Sequence, residues 1–243
     1  MKDYENIEDY LKEKYLDYED CQNGYYTICS KIYKMKDDFE VFTPIEEAIG
    51  RAGKWGLCDK NGNEIIKPQY LFPLIPFKNY YLTTLPIFDK NISFKRYVAK
   101  IKGTLSGLVD INNNEIIPIK YNWLDNIDKD GNLFIAGIKS KKLINTFNYG
   151  IIDTDNNLIA PFKYDYIQHI RNEIKSNYEY INQIEVEKDG YIGVYDLNDK
   201  KEIIKPKYKY LEIIKKNVFL VSEDVNGARM NGKIIDEKEN KII

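Results

Sequence analysis

Oxygen-bearing side chains recur at alternate positions three times along this chain. The sets are Asp59, Asn61 and Asn63; Asp110, Asn112 and Asn114; and Asp153, Asp155 and Asn157. Alternating carboxylates and amides are what a calcium loop supplies from its first positions. Such a loop closes on a bidentate glutamate at its twelfth position, where Tyr70, Tyr121 and Tyr164 stand instead. The same residues suit a second chemistry, in which the aspartate accepts hydrogen bonds from the amides of its own tight turn. Turn chemistry is the stronger reading. A second recurring set is aromatic: Tyr70 and Phe72, Tyr121 and Trp123, Tyr164 and Tyr166, Tyr208 and Tyr210. A spacing of two puts both members on one face of a strand. There they either stack on sugars or bases or build the core between repeats, and the core is favoured.

The catalytic inventory is thin. His169 is the only histidine, which excludes a multi-histidine metal site and would have to carry any histidine-dependent triad alone. Cys21, Cys29 and Cys58 have no C-x-x-C spacing and read as free thiols of a reducing compartment. No glycine-rich phosphate loop is present, and nothing selects a glycosidase pair from 38 acidic residues. The expectation is a protein that is not an enzyme and uses neither cofactor nor metal.

The elements that carry these residues are repeats. WGLCDKNGNEIIKPQY begins at Trp55, SGLVDINNNEIIPIKY at Ser106, YGIIDTDNNLIAPFKY at Tyr149 and IGVYDLNDKKEIIKPKY at Ile192. A shorter fifth copy, GKIIDEKENKII, begins at Gly232. The framework is Gly56, Gly107, Gly150 and Gly193, followed by Asp59, Asp110, Asp153, Asp196 and Asp236, and the aspartates are 51, 43, 43 and 40 residues apart. Each copy reads as an apolar strand, a turn rich in Asn and Gly that tolerates positive φ, and a returning apolar strand. Pro68, Pro118, Pro161 and Pro206 are expected to end the pairing, because proline has no amide to donate. Strand-like runs at 96–99, 133–136, 184–186 and 218–221 lie upstream of the copies, so each unit should hold three or four strands. One hairpin is marginal alone, and neighbouring units must stack. The expected fold is all-β: an open array or solenoid of antiparallel hairpins, or alternatively a closed propeller, with a short helical segment at the N-terminus.

The string from Gly53, GKWGLCDKNGNEIIKPQY, resembles the WG-repeat family of bacterial β-repeat proteins, with its Trp-Gly-hydrophobic-x-Asp core and hydrophobic-Pro-x-x-Tyr tail. The resemblance covers residues 53–243, with Ser106, Tyr149 and Ile192 in place of Trp55 in later copies. It implies a non-enzymatic interaction module, and some family members look like immunity proteins encoded beside bacterial toxins.

Two regions depart from the repeat. Residues 1–42 form the N-terminal segment, with the array assigned to 43–243. Tyr4, Ile7, Leu11, Tyr15 and Tyr18 fall on one stripe of an amphipathic helix. The first 20 residues carry eight Asp or Glu against three Lys, making Glu5, Asp9, Glu13, Asp17, Glu19 and Asp20 candidates for a partner-binding face, although a charge run commonly just faces water. Thr43-Pro44-Ile45-Glu46 has capping-box form, and the short run that Gly50 closes reads equally as the lead-in to the first repeat's strand. Between the first two copies, Pro73, Pro76 and Pro86 predict an irregular excursion over 71–95.

The remaining composition sets limits. At 36 basic against 38 acidic residues, net charge is −2, which offers no long-range attraction for nucleic acid or an anionic membrane. The start MKDYENIEDYLKEKY has no secretory pattern, and no apolar run approaches the roughly 20 residues that cross a bilayer. A cytoplasmic protein is therefore expected; the resemblance implies that it binds another protein, such as a toxin encoded nearby, with a small-molecule or carbohydrate binder as the alternative.

Overall fold

The computed structural model describes residues 6–32, 51–88, 101–128, 131–140, 146–168, 182–224 and 232–242. The chain divides into two compact units, Met1–Leu124 and Asp125–Ile243. The described residues are all-β but for one helix, and none of their five antiparallel sheets closes into a barrel.

In the first unit, α1 (Ile7–Lys14) precedes β1 (Asp17–Asp20), β2 (Tyr25–Ile32), β3 (Gly53–Asp59) and β4 (Glu64–Tyr70), which pair in chain order. A second sheet follows with β5 (Ile75–Phe77), β6 (Tyr80–Phe88), β7 (Ile101–Asp110) and β8 (Glu115–Tyr121). In the second unit the same meander recurs. One sheet holds β9 (Trp123–Asn126), which spans the division between the units, β10 (Leu133–Lys139), β11 (Phe147–Asp153) and β12 (Leu158–Tyr164). The next holds β13 (Tyr166–Ile167), β14 (Gln183–Lys188), β15 (Tyr191–Asp196) and β16 (Lys201–Tyr208). The last has three strands, β17 (Tyr210–Lys215), β18 (Val218–Ser222) and β19 (Lys233–Asp236), plus a single bridge from Ile235 to Lys241. The expected upstream strands are β10, β14 and β18, while 96–99 lies outside the described residues.

Three expectations are corrected. Helix α1 stops at Lys14: Tyr15 is extended (φ −120°), and Tyr18 of the helical stripe lies in β1. The residues after it are strands because Tyr25–Ile32, rich in aromatic and β-branched side chains, pairs along its length with the first repeat's β3. The stretch after Tyr70 is not irregular throughout, since β5 and β6 form a hairpin with Lys78 at positive φ (54°). Pro76 is tolerated because β5 is an edge strand, and Pro86 because β5 pairs with β6 only as far as Leu82. The candidate capping box at 43–46 and Tyr4 lie outside the described residues, as does the point where the segment was expected to meet the array.

The third correction concerns the repeat prolines, which do not end pairing. Trp55 faces Tyr70 and Leu57 faces Ile66, so Gly56 opposes the three residues Lys67–Gln69 in a bulge. Pairing resumes at the tyrosine beyond Pro68. The other copies repeat this, with Ser106 facing Tyr121, Tyr149 facing Tyr164 and Ile192 facing Tyr208. A bulge leaves residues outside the ladder, so the missing amide of proline costs nothing there.

The bulge explains the glycine. A Cβ on Gly56 would sit 2.3 Å from Ile66 O and 2.7 Å from Pro68 N, and one on Gly193 would sit 2.5 Å from Ile204 O and 2.6 Å from Pro206 N. The bulged backbone closes down onto the space that a side chain would occupy. Close approach, rather than a left-handed backbone, is the constraint.

Within each unit the sheets pack face to face. Trp55, Leu57, Ile66 and Tyr70 of the first sheet meet Leu74, Tyr81 and Val109. Val194 and Ile204 meet Leu211, Phe219, Val221 and Ile235. Burying each such side chain contributes about 1.5–3 kcal/mol. A single residue, Asp165 or Lys209, separates the last strand of one sheet from the first strand of the next. The chain bends at that residue as it passes from one sheet to the next.

Candidate functional site

The recurring aspartates close their own turns. Asp59 Oδ1 accepts the Asn61 and Asn63 amides at 2.8 and 2.9 Å, and Oδ2 accepts Asn63 Nδ2 at 2.9 Å. Asp110, Asp153 and Asp236 do the same with Asn114, Asn157 and Asn240. The third residue after each aspartate takes positive φ: Gly62, Asn113, Asn156 and Glu239 at 77°, 64°, 62° and 64°. Glycine and asparagine do this readily, which is the sequence signal for the turn. The Asn63 side chain, with backbone amides behind it, holds the Asp59 carboxyl below its ordinary range; Asn114 and Asn240 do so for Asp110 and Asp236. These carboxylates are occupied by the turn. Among the described residues no group of three or more His, Cys, Asp or Glu is placed to hold a metal ion.

The leading aromatic of each pair is core. Tyr70, Tyr121 and Tyr164 are 3%, 4% and 0% exposed, and Tyr208 is half-buried. Three of these hydroxyls reach the next repeat: Tyr70 OH donates to Asn113 Oδ1 (2.7 Å), Tyr164 OH to Glu202 Oε1 (2.9 Å) and Tyr208 OH to Glu239 Oε2 (2.9 Å). The second members vary, from Phe72 at 1% exposed to Tyr166 at 52%. A continuous exposed stacking platform is not formed by the leading rings.

The N-terminal segment repeats this clasp. Tyr15 OH donates to Glu64 Oε1 at 2.7 Å, and Glu64 stands in the first repeat where Glu202 stands in the fourth. Lys14 lies 3.6 Å from Glu64 Oε1, as Lys163 lies 2.9 Å from Glu202 Oε1. Each lysine also covers the ring that follows it, at 5.1 Å for Lys14 on Tyr15 and 5.2 Å for Lys163 on Tyr164. Burial, with Glu64 beside it, pushes the Tyr15 hydroxyl up to about 12. Leu11 and Tyr15 pack on Ile28 and Cys58. Helix α1 thus ends in a tail that imitates the end of a preceding repeat. The sequence carried the signal, since Lys14-Tyr15 echoes Lys120-Tyr121, Lys163-Tyr164 and Lys207-Tyr208.

The candidate acidic residues separate into two groups. Asp9 and Glu13 are exposed on α1, where Lys12 lies 3.9 Å from Asp9 and from Glu8. Asp17 and Glu19 on β1 instead hold Arg51: its Nε donates to Asp17 Oδ2 at 3.0 Å and its Nη1 to Glu19 Oε2 at 2.6 Å. The guanidinium lies 4.7 Å from the centre of the buried Trp55 ring, and Trp55 Nε1 donates to Arg51 O at 2.7 Å. Sequence reasoning missed Arg51, which joins the acidic strand to the tryptophan. Asp20 Oδ1 accepts the Gln22 amide at 2.7 Å. Glu5 and His169 lie outside the described residues.

The three thiols are buried. Desolvation pushes Cys21 up to about 11 and Cys58 up to about 12, and it raises Cys29 as well. A thiol held protonated in this way is a poor nucleophile.

A model of the WG containing repeat matches residues 55–70, 107–141 and 149–174. In these three stretches the chain matches the WG repeat. The matched stretches hold the glycine-and-bulge hairpins at Trp55, Gly107 and Gly150, together with Tyr70 and Tyr164, which clasp the following repeat. No curated protein matches the chain. Among solved structures, a crystal structure of the eukaryotic initiation factor is similar at 10% identity and a TM-score of 0.36, over 95% of this chain and 77% of that one. So low a score carries no argument about this chain. Among the described residues no helix is long and apolar enough to cross a membrane.

Proposed function

We propose that this WG-repeat chain is a non-enzymatic protein-binding module of the cytoplasm, and that it acts as a bacterial immunity protein covering the active surface of a partner toxin. One observation carries the reading. The recurring polar groups of the repeats are used by the framework itself, in the Asp turns and in the clasps of Tyr70, Tyr164 and Tyr208. Asp9 and Glu13 lie exposed on α1, outside the repeat, and form the contact face of this reading. The buried leading rings weigh against a carbohydrate ladder. Acidic groups on such a face would steer encounter with a basic cleft, an effect read in association rate and salt dependence.

The test begins by capturing partners from the native host with the full chain and co-expressing any captured toxin in a bacterium. Growth should be restored by the wild-type chain. The Asp9→Lys, Glu13→Lys double variant leaves the Arg51 cluster intact and should slow association and weaken its salt dependence. Protection without any change in rate would refute the acidic face, and failure to protect would refute the immunity role.

A further inference from the structure

The β1–β2 hairpin is closed by Cys21 N to Tyr25 O at 3.0 Å and by Gln22 N to Asp20 Oδ1 at 2.7 Å. Its tip is the exposed Asn23-Gly24 pair. Gly24 has φ of 84°, and nothing lies within 4 Å of where its Cβ would stand. The Gly24 amide is not among the hydrogen-bond donors of the described residues. The chain offers an internal comparison in Asn61-Gly62. There the glycine is buried, its amide donates to Asp59 O at 3.0 Å, and the Tyr10 ring stands 2.4 Å from the place of a Cβ.

This contrast matters for one reaction. An amide nitrogen after asparagine can lose its proton and attack the side-chain Cγ. A ring C–N bond forms, the bond from Cγ to Nδ2 breaks, and ammonia leaves. Water then opens the succinimide at either carbonyl, giving aspartate or isoaspartate, with no change of oxidation state. Glycine favours the step because no Cβ crowds the approach and its backbone turns freely. A nitrogen already donating a hydrogen bond must give that bond up first.

We infer that Asn23-Gly24 is a site of spontaneous deamidation in the folded protein, whereas Asn61-Gly62 is protected by its turn. The product is the substrate class of an isoaspartyl carboxyl methyltransferase. Conversion removes the Asn23 Nδ2 donor that reaches Tyr81 Oη at 3.1 Å and places a new negative charge on the hairpin that carries Glu19 and Asp20.

The experiment ages the native full chain at mildly alkaline pH and follows both peptides by mass spectrometry. Methyl transfer from labelled S-adenosylmethionine by an isoaspartyl methyltransferase counts the isoaspartate. Asn23 should convert at least about tenfold faster than Asn61. That is the factor set by an added barrier of about 1.4 kcal/mol, the size of one backbone hydrogen bond. In denaturant the two rates should converge. Asn23→Gln, which keeps an amide at the tip, should abolish the methyl acceptor at this peptide. Equal or reversed rates in the native chain would overturn the inference, as would a tenfold difference that persisted after unfolding. Asn226-Gly227 and Asn231-Gly232 are followed separately, since both steps involve residues outside the described ones.

Discussion

Replacing Gly56 with Ala tests the link between the framework glycine and the bulge. The new Cβ would stand 2.3 Å from Ile66 O, 2.7 Å from Pro68 N and 2.9 Å from Lys67 C, all of them backbone. Comfortable carbon-to-oxygen contacts lie at about 3.3–3.6 Å, so the bulge must open by about 1 Å. That displacement disturbs the Trp55–Tyr70 and Leu57–Ile66 pairs on either side, each hydrogen bond being worth about 0.5–1.5 kcal/mol. Overpacking of this kind costs about 1–3 kcal/mol, and the upper half of that range is expected here. The control is Gly103→Ala on β7, where the nearest atom is a flexible Ile87 Cδ1 at 3.6 Å. A surface-like change of this sort stays within about 0.5 kcal/mol. Gly107→Ala and Gly150→Ala, with closest contacts at 2.7 Å, should fall between the two. Urea titration measures the differences, and melting should shift by about 2–4 °C per kcal/mol for a chain of this size. Equal stability of the Gly56 and Gly103 variants would refute the close-approach argument.

Two further perturbations bear on the charged groups. Calcium or chelator should leave the melting temperature unchanged, because the Asp59 and Asp110 oxygens are occupied by their turns; bound calcium at a hundredfold excess over its Kd would add about 2.7 kcal/mol, a rise no calorimeter would miss. Glu185 on β14 is pushed from 4.5 up to about 7, chiefly by burial, despite a hydrogen bond from the Ile213 backbone and with Glu212 adding repulsion. The folded chain therefore holds this proton to higher pH than the unfolded chain, so its contribution is full below about 4.5 and is lost as pH rises to about 7. At about 1.4 kcal/mol per unit, the loss is on the order of 3 kcal/mol at most. Glu185→Gln should flatten that slope and raise stability at pH 8 relative to wild type, and a pH profile parallel to wild type would sink the argument.

The hairpins were legible because their determinants are local. An aspartate and an asparagine four residues apart, with glycine or asparagine between them, specify a turn whose hydrogen bonds never leave five residues. The recurrence of Gly56, Gly107, Gly150 and Gly193 marks one position in each copy, yet their own strand does not say what lies against it. The bulge around Pro68 is a relation between two strands, and period-two reading of either strand alone treats proline as a stop. Strands β1 and β2 were harder to see, since β2 is specified by its partner β3 and the stripe that ends at Tyr15 and Tyr18 suggested a longer helix. The candidate site was half legible for the same reason. Charge counting found Asp17 and Glu19 but not that Arg51, 34 and 32 residues away, would take both of them to cover Trp55. A pattern that repeats within the chain does carry such long-range information. Lys14-Tyr15 had the form of a repeat tail, and Glu64 had the place of its acceptor. Aligning the tails as well as the hairpins would have placed the first sheet's cap from sequence, because a clasp seen in one copy implies the same clasp wherever both halves recur.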